Sequence, residues 1–66
     1  MNLIVNDENI TTDATDVQKL LEERLGEVPK GTAVAIDGDV VPQSEWSTRV
    51  LEDGAHVDIL TAVQGG

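Results

Sequence analysis

The segment from Thr15 to Gly26, which reads TDVQKLLEERLG, decides the fold of this chain. Four of its apolar residues have the i, i+3, i+4 and i+8 spacing that places side chains on one face of an α-helix. These residues are Val17, Leu20, Leu21 and Leu25. The charged residues between them face mostly water, so the segment predicts an amphipathic helix whose apolar stripe must be covered by other elements.

Both ends of this helix carry capping or stop signals. Thr15 and Gln18 form a capping box, in which the Thr15 hydroxyl accepts from the Gln18 amide and the Gln18 side chain reaches back to Thr15. Gly26 supplies a left-handed C-cap, and Pro29 prevents the helix from continuing. We therefore expect the helix to begin at the Thr15 cap and to end at Gly26.

Before the helix, the sequence predicts a β-hairpin. Residues 1–5 alternate between apolar and polar, which is typical of a strand with one buried face. The polar cluster at residues 6–9 has turn chemistry, and residues 10–14 form the returning strand. That second strand has little apolar surface, which favours a place at the edge of a sheet.

After the helix, the first predicted strand covers residues 32–36, which are small and mostly apolar, and at least part of both its faces should be covered. Asp37-Gly38 suits a tight turn, and Val40-Val41 begins a short strand that Pro42 ends by withholding a donor. We expect residues 43–51 to make a helical turn around Trp46 and to bury Val50 and Leu51.

The last predicted strand follows the turn signal Asp53-Gly54 and extends from Ala55 to Val63. Its alternation places two sets of residues on opposite faces. One set is Val57, Ile59, Thr61 and Val63, and the other contains Leu60 and Ala62.

The order strand, strand, helix, strand, strand, strand predicts an α+β fold with one helix packed across a mixed sheet of four to five strands. A hairpin, a helix that crosses over its face and a final strand that returns beside the first, with a right-handed crossover, would make this the β-grasp, or ubiquitin-like, arrangement. With 66 residues there is room for one domain, which we expect to span residues 1–66 and to carry a flexible C-terminal Gly-Gly tail.

The composition excludes several classes of function. Thirteen acidic and four basic side chains give a net charge of −9, which repels nucleic acid and anionic membranes and favours a partner protein with a basic face. The absence of cysteine excludes disulfides, thiolate metal sites and thiol nucleophiles. We see no apolar run of the length of a signal peptide or membrane span, so the expected location is the cytoplasm.

The C-terminal segment TAVQGG, residues 61–66, is the candidate functional element. Gly65 and Gly66 lack Cβ atoms, so the backbone could enter a narrow channel that side chains would block, with Gln64 as part of the same access segment. The C-terminal carboxylate of Gly66 would then be the reactive group. The alternative is an ordinary frayed terminus without function.

No residue from Ile59 to Gly66 is charged, although charged residues make up 26% of the chain. This end is therefore suited to docking on an apolar surface. We predict that Leu60, Ala62 and Val63 contact a partner protein. Trp46 is a further docking candidate, although a core position is the more ordinary role for tryptophan.

Two other features could suggest a site, but each has a simpler interpretation. His56 could act as an acid or base, yet no spacing supplies a nucleophile or an orienting partner, so a structural role is favoured. Asp37-Gly38-Asp39 lacks the third oxygen ligand and the distal Glu of a calcium loop, so a solvated turn is favoured. We therefore predict neither a catalytic residue nor a metal ligand.

Two stretches resemble the ThiS family, the sulfur carrier proteins of thiamin biosynthesis. Residues 35–46, AIDGDVVPQSEW, are similar to the family's short hairpin, in which a tryptophan follows a proline by four residues. Residues 51–66, LEDGAHVDILTAVQGG, resemble its last turn, last strand and Gly-Gly end. Gln43 and Ala55 depart from the usual pattern of a basic residue after the proline and a second aspartate after Asp-Gly. The Gly-Gly end alone indicates only the wider superfamily.

The resemblance implies a carrier that is not itself an enzyme. An E1-like adenylating enzyme would use ATP and Mg²⁺ to activate the Gly66 carboxylate, because this chain has no phosphate-binding loop and binds no cofactor of its own. A cysteine desulfurase or other sulfur source would then supply the sulfur of a thiocarboxylate, which would attack a substrate on a thiazole synthase. The carrier is expected to be a monomer when free.

Three alternatives use the same sequence features. A ubiquitin-like modifier would join Gly66 to target lysines through an isopeptide bond. A carrier for molybdopterin synthesis would share the Gly-Gly end. An acidic interaction module would have no chemistry at its tail.

Overall fold

The computed structural model describes residues 1–61, which form a five-stranded sheet with one α-helix against it. A short 3₁₀ turn precedes the last strand. In chain order the elements are β1 (Asn2–Val5), β2 (Glu8–Thr11), α1 (Val17–Leu25), β3 (Ala33–Ile36), β4 (Asp39–Val41), the 3₁₀ turn (Gln43–Glu45) and β5 (His56–Leu60).

The strands lie in the order β2-β1-β5-β3-β4. β1 and β5 are parallel, and the other neighbouring strands are antiparallel. This mixed sheet with one helix confirms the predicted α+β, β-grasp architecture. β2 lies at an edge, as its low apolar content indicated, and the last strand lies in the middle.

The core lies between α1 and one face of the sheet. Its largest fully buried side chains come from β1, α1, β3 and β5: Leu3, Val5, Val17, Leu20, Leu21, Val34 and Val57. Leu25 is partly buried against the same cluster. The apolar stripe predicted for the helix is therefore confirmed as the surface that covers the sheet.

The hairpin between β1 and β2 is tighter than predicted. Its turn consists of Asn6 and Asp7 alone, with φ of 50° and 65°, and Val5 pairs with Glu8. Positive φ at both central residues is what a type I′ turn requires, and Asn and Asp adopt it more readily than most residues. The prediction of a turn over residues 6–9 and a strand over 10–14 was therefore wrong in its boundaries.

The N-cap of α1 is Asp16, not Thr15. The Asp16 carboxylate accepts from the backbone N–H of Lys19 at 2.8 Å, whereas the Gln18 side chain donates to Glu22. A carboxylate at this position satisfies an orphan N–H and lies favourably at the positive end of the helix. Gly26 caps the other end with φ of 71° but ψ of −93°, outside the left-handed helical region that was predicted.

The segment before β5 also differs from the prediction. Leu51 is buried, but Val50 is 68% exposed. Asp16 and Val50 form an isolated antiparallel bridge, and the N–H of Leu51 donates to the Thr15 carbonyl at 2.9 Å. Because side chains alternate in an extended segment, Val50 points outward when Leu51 points into the core.

The last strand is shorter than expected, since β5 covers His56–Leu60 and Thr61 follows it without strand pairing. Ala55, at the entry to β5, is buried. Within residues 1–61, the nine-residue α1 falls well short of the length that a membrane-spanning helix needs.

Candidate functional site

β5 is the strand that leads to the C-terminal segment, and it has a neighbour on each side. It pairs with β1 through Ile4–His56 and Val5–Val57, and with β3 along four residue pairs. Most residues of the predicted site lie outside the described residues: Ala62, Val63, Gln64, Gly65 and Gly66. The structure therefore describes β5, the strand that precedes this segment, and not the segment itself.

The face of the sheet away from α1 carries an apolar patch at the end of β5. Leu60 is 68% exposed and pairs with Ala33, while Val40 is 75% exposed and pairs with Ala35. The two alanines lie on β3, between Val40 on β4 and Leu60 on β5. We call Ala33, Ala35, Val40 and Leu60 the outer patch. The two alanines at its centre are small, so the larger side chains of Val40 and Leu60 project above them on either side.

The charge near the outer patch is acidic. Asp58 pairs with Ala35 on the same face and is exposed, as is His56 two residues earlier. Within residues 1–61, no strand carries a lysine or arginine; the four basic side chains are on α1, in the loop after it or beyond the 3₁₀ turn: Lys19, Arg24, Lys30 and Arg49. An apolar surface with a carboxylate beside it is complementary to a partner surface that is apolar and basic.

Trp46, the other predicted docking residue, belongs to the core. Its side chain is nearly buried, and its indole N–H donates to the Val41 carbonyl at 3.0 Å. It also lines a surface pocket of about 200 Å³ together with Gln43 and Lys30. A buried ring offers a partner little area to contact, so the structure gives the docking role of Trp46 no support.

Each end of β5 is hydrogen-bonded to the side chain of the first residue of a neighbouring turn. Asn6 and Asp37 both have φ of 50° and direct a side-chain oxygen at the main chain of β5. Oδ1 of Asn6 accepts from Ile59 N–H at 2.8 Å, and Oδ1 of Asp37 accepts from His56 N–H at 3.1 Å. The sequence interpretation missed both contacts, although Asn or Asp opening a two-residue turn beside a strand is a usable signal.

The remaining candidates form no catalytic or metal constellation. Nδ1 of His56 lies 3.8 Å from Oδ1 of Asp37, which is too long for a hydrogen bond, and both side chains are exposed. Between Met1 and Thr61, no three His, Asp or Glu residues are grouped so that they could hold a metal ion.

Comparison with known proteins gives consistent matches over the whole length. The curated Escherichia coli (strain K12) protein "Sulfur carrier protein ThiS" is 27% identical over 66 residues, which is 100% of both chains. The crystal structure of thiamine biosynthesis protein ThiS from Geobacter metallireducens is 28% identical, with a TM-score of 0.82 over 100% of both chains.

A solution NMR structure of a thiamine biosynthesis protein from Geobacter metallireducens is also 28% identical, with a TM-score of 0.81. The match covers 100% of this chain and 88% of that one. The profile of the ThiS family matches residues 1–66. These matches and the β-grasp sheet agree with the resemblance carried by the two sequence stretches, and the chain belongs to the ThiS family.

Proposed function

We propose that this chain is a sulfur carrier of thiamin biosynthesis whose Gly66 carboxylate is converted to a thiocarboxylate that donates sulfur for thiazole formation. The observation that carries the proposal is the extent of the family match, which covers residues 1–66 and so includes the Gly-Gly end. The Escherichia coli relative, matched over its full length, is named a sulfur carrier.

The chemistry assigns the carrier and its partners separate tasks. A free carboxylate is a poor electrophile, so an adenylating enzyme first joins the Gly66 carboxylate to the α-phosphate of ATP and releases pyrophosphate. The persulfide of a cysteine desulfurase then attacks the acyl carbon, and AMP leaves. A thiol reductant cleaves the resulting acyl disulfide, which releases the thiocarboxylate. The carrier contributes the reacting terminus and the surface that presents it, while ATP and Mg²⁺ are bound by the partner.

The outer patch is the surface through which we propose that the carrier docks on the adenylating enzyme. Leu60 ends β5, one residue before Thr61, so a partner that covers Leu60 lies beside the start of the segment that leads to Gly66. Ala62 and Val63 extend the proposed contact along the tail. Thiazole synthase would receive the same terminus after sulfur loading. We propose that the carrier acts in the cytoplasm, where ATP is available to the activating enzyme, and that it is a monomer when free.

Intact mass spectrometry tests the proposed chemistry. The chain is incubated with ATP, Mg²⁺, an adenylating enzyme of the thiamin pathway and a sulfur source, beside a matched variant that lacks Gly66. We expect the wild-type mass to rise by the difference between one sulfur and one oxygen atom, and the variant mass to stay unchanged. Deletion of Gly66 should leave the melting temperature unchanged, because the reacting terminus is proposed to be threaded into a partner.

The same incubation, with two further measurements, distinguishes the alternatives. An unchanged wild-type mass, with an adenylating enzyme shown to be active on another carrier, would exclude sulfur loading. Conjugates of higher mass in cell extract would then indicate a protein modifier. Loaded carrier that transfers sulfur to molybdopterin synthesis, and not to thiazole synthase, would place it in that pathway.

A further inference from the structure

The parallel pairing of β1 with β5 stops short of the end of β5. The N–H of Ile4 donates to the Ala55 carbonyl at 2.9 Å, and the N–H of Asn6 donates to the Val57 carbonyl at 2.9 Å. In a regular parallel ladder, Ile59 would next donate to the carbonyl of residue 6 and accept from the N–H of residue 8. The chain instead turns away at Asn6, so the backbone of β1 cannot supply these two bonds.

The Asn6 side chain makes both missing bonds. Its Oδ1 accepts from Ile59 N–H at 2.8 Å, and its Nδ2 donates to the Ile59 carbonyl at 3.1 Å. A carboxamide has one acceptor and one donor group in the arrangement of a peptide unit, so it can replace a short piece of backbone. The two bonds join residues 53 positions apart in the chain.

These bonds matter because of the direction in which the main chain of Ile59 points. The N–H and C=O of a strand residue point to the same side, and successive residues alternate. His56 is bonded on the β3 side through Asp37, and Val57 on the β1 side through Asn6. Ile59 therefore faces the β1 side, where the Asn6 carboxamide bonds its main chain, whereas Leu60 faces β3.

We propose that Asn6 is a positioning residue for the C-terminal segment, an inference that rests on the proposed function. By bonding Ile59 on the β1 side, it keeps the last residues of β5 attached to both neighbouring strands. The segment that leads to Gly66 then starts from a defined position and direction. Without the carboxamide, β3 alone holds this end, and the terminus would reach the partner's site in a productive orientation less often.

The residue type fits this role. Asn6 must adopt a φ of 50° in the turn, which asparagine tolerates better than most residues other than glycine. It must also both accept and donate, and an ionised aspartate would place a negative charge against the Ile59 carbonyl. Asparagine meets both conditions.

The test uses Asn6→Gly, which accepts the positive φ of the turn but lacks the carboxamide. The matched control is Asp7→Gly, at the next position of the same turn, where φ is 65°. Amide hydrogen exchange of Ile59, followed by NMR, reports whether the end of β5 opens. ATP–pyrophosphate exchange with the adenylating enzyme gives kcat and KM for each chain.

In Asn6→Gly we expect the Ile59 amide to exchange about tenfold faster or more, because two hydrogen bonds that oppose local opening are lost. The kcat of adenylation should fall about tenfold, since a small misplacement of reacting groups lowers the rate strongly. KM should stay within about twofold of wild type because the outer patch is unchanged. Asp7→Gly should match wild type in all three quantities.

A kcat equal to wild type in Asn6→Gly, with the wild-type chain active, would show that the contact is only structural and would overturn the inference. An unchanged Ile59 exchange rate would overturn it too. If Asn6→Gly failed to fold, Asn6→Asp, which replaces the donor to the Ile59 carbonyl with a negatively charged oxygen, would be used instead, with the same expected direction. A wild-type chain that is not adenylated at all would overturn the proposed function, and this inference with it.

Discussion

Truncating Leu60 should weaken docking on the adenylating enzyme without affecting the fold. The side chain is 68% exposed on the outer patch, so its removal takes little from the core. Complete burial of a leucine side chain is worth about 1.5–3 kcal/mol. Two thirds of that area is available to a partner, so Leu60→Ala should cost about 1–2 kcal/mol of binding free energy, or about 5-fold to 30-fold in Kd.

Val50→Ala is the matched control, because Val50 is also 68% exposed but lies next to the N-terminus of α1, where its backbone bridges to Asp16. Isothermal titration calorimetry of each purified variant against the enzyme gives the Kd, and circular dichroism confirms that the fold is unchanged. Leu60→Asp should weaken binding further, since it adds a buried charge beside Asp58. Docking through the outer patch would be refuted if Leu60→Ala and Leu60→Asp both bound with wild-type affinity. It would also be refuted if Leu60→Ala and Val50→Ala lost equal amounts of binding free energy.

Three further predictions concern the fold. Leu20→Ala should lower the free energy of unfolding by about 2–5 kcal/mol in urea denaturation, because the side chain is completely buried; a loss below 1 kcal/mol would contradict its core position. Asp16→Ala should cost about 1 kcal/mol through loss of the N-cap, whereas Thr15→Ala should cost less; the reverse order would restore Thr15 as the cap. Trp46→Phe should cost about 1–3 kcal/mol in thermal unfolding followed by circular dichroism, because it leaves the Val41 carbonyl without its indole donor; unchanged stability would show that this bond contributes nothing.

The sequence predicted the helix well because its signal is local. The stripe of four apolar residues is a property of the helical repeat, so the buried face of α1 could be read directly. The predicted position of the N-cap was wrong by one residue, because contacts with a distant segment determine where the helix begins. The N–H of Val17 donates to the Arg49 carbonyl and that of Leu51 to the Thr15 carbonyl, so residues 49–51 hold the chain extended up to Asp16.

Among the predicted docking residues, Leu60 is exposed in the structure whereas Trp46 is buried. Alternation along the last strand correctly placed Leu60 opposite the core-facing Val57 and Ile59. For Trp46, composition could not separate a buried anchor from an exposed one, because tryptophan is common in both environments. Trp46 belongs to the segment after β4, and its burial depends on how that segment folds back against α1, where the N–H of Gln18 donates to the Trp46 carbonyl.

By itself, the sequence determined the helix, the order of helix and strands along the chain and the similarity of residues 35–46 and 51–66 to one family. These features follow from residue spacing and turn chemistry within short segments, which need no knowledge of distant parts of the chain. Only the tertiary structure placed β3 on the other side of β5 and brought the Asn6 carboxamide to the main chain of Ile59. Strand pairing of this kind arises between segments far apart in sequence, so no local pattern specifies it.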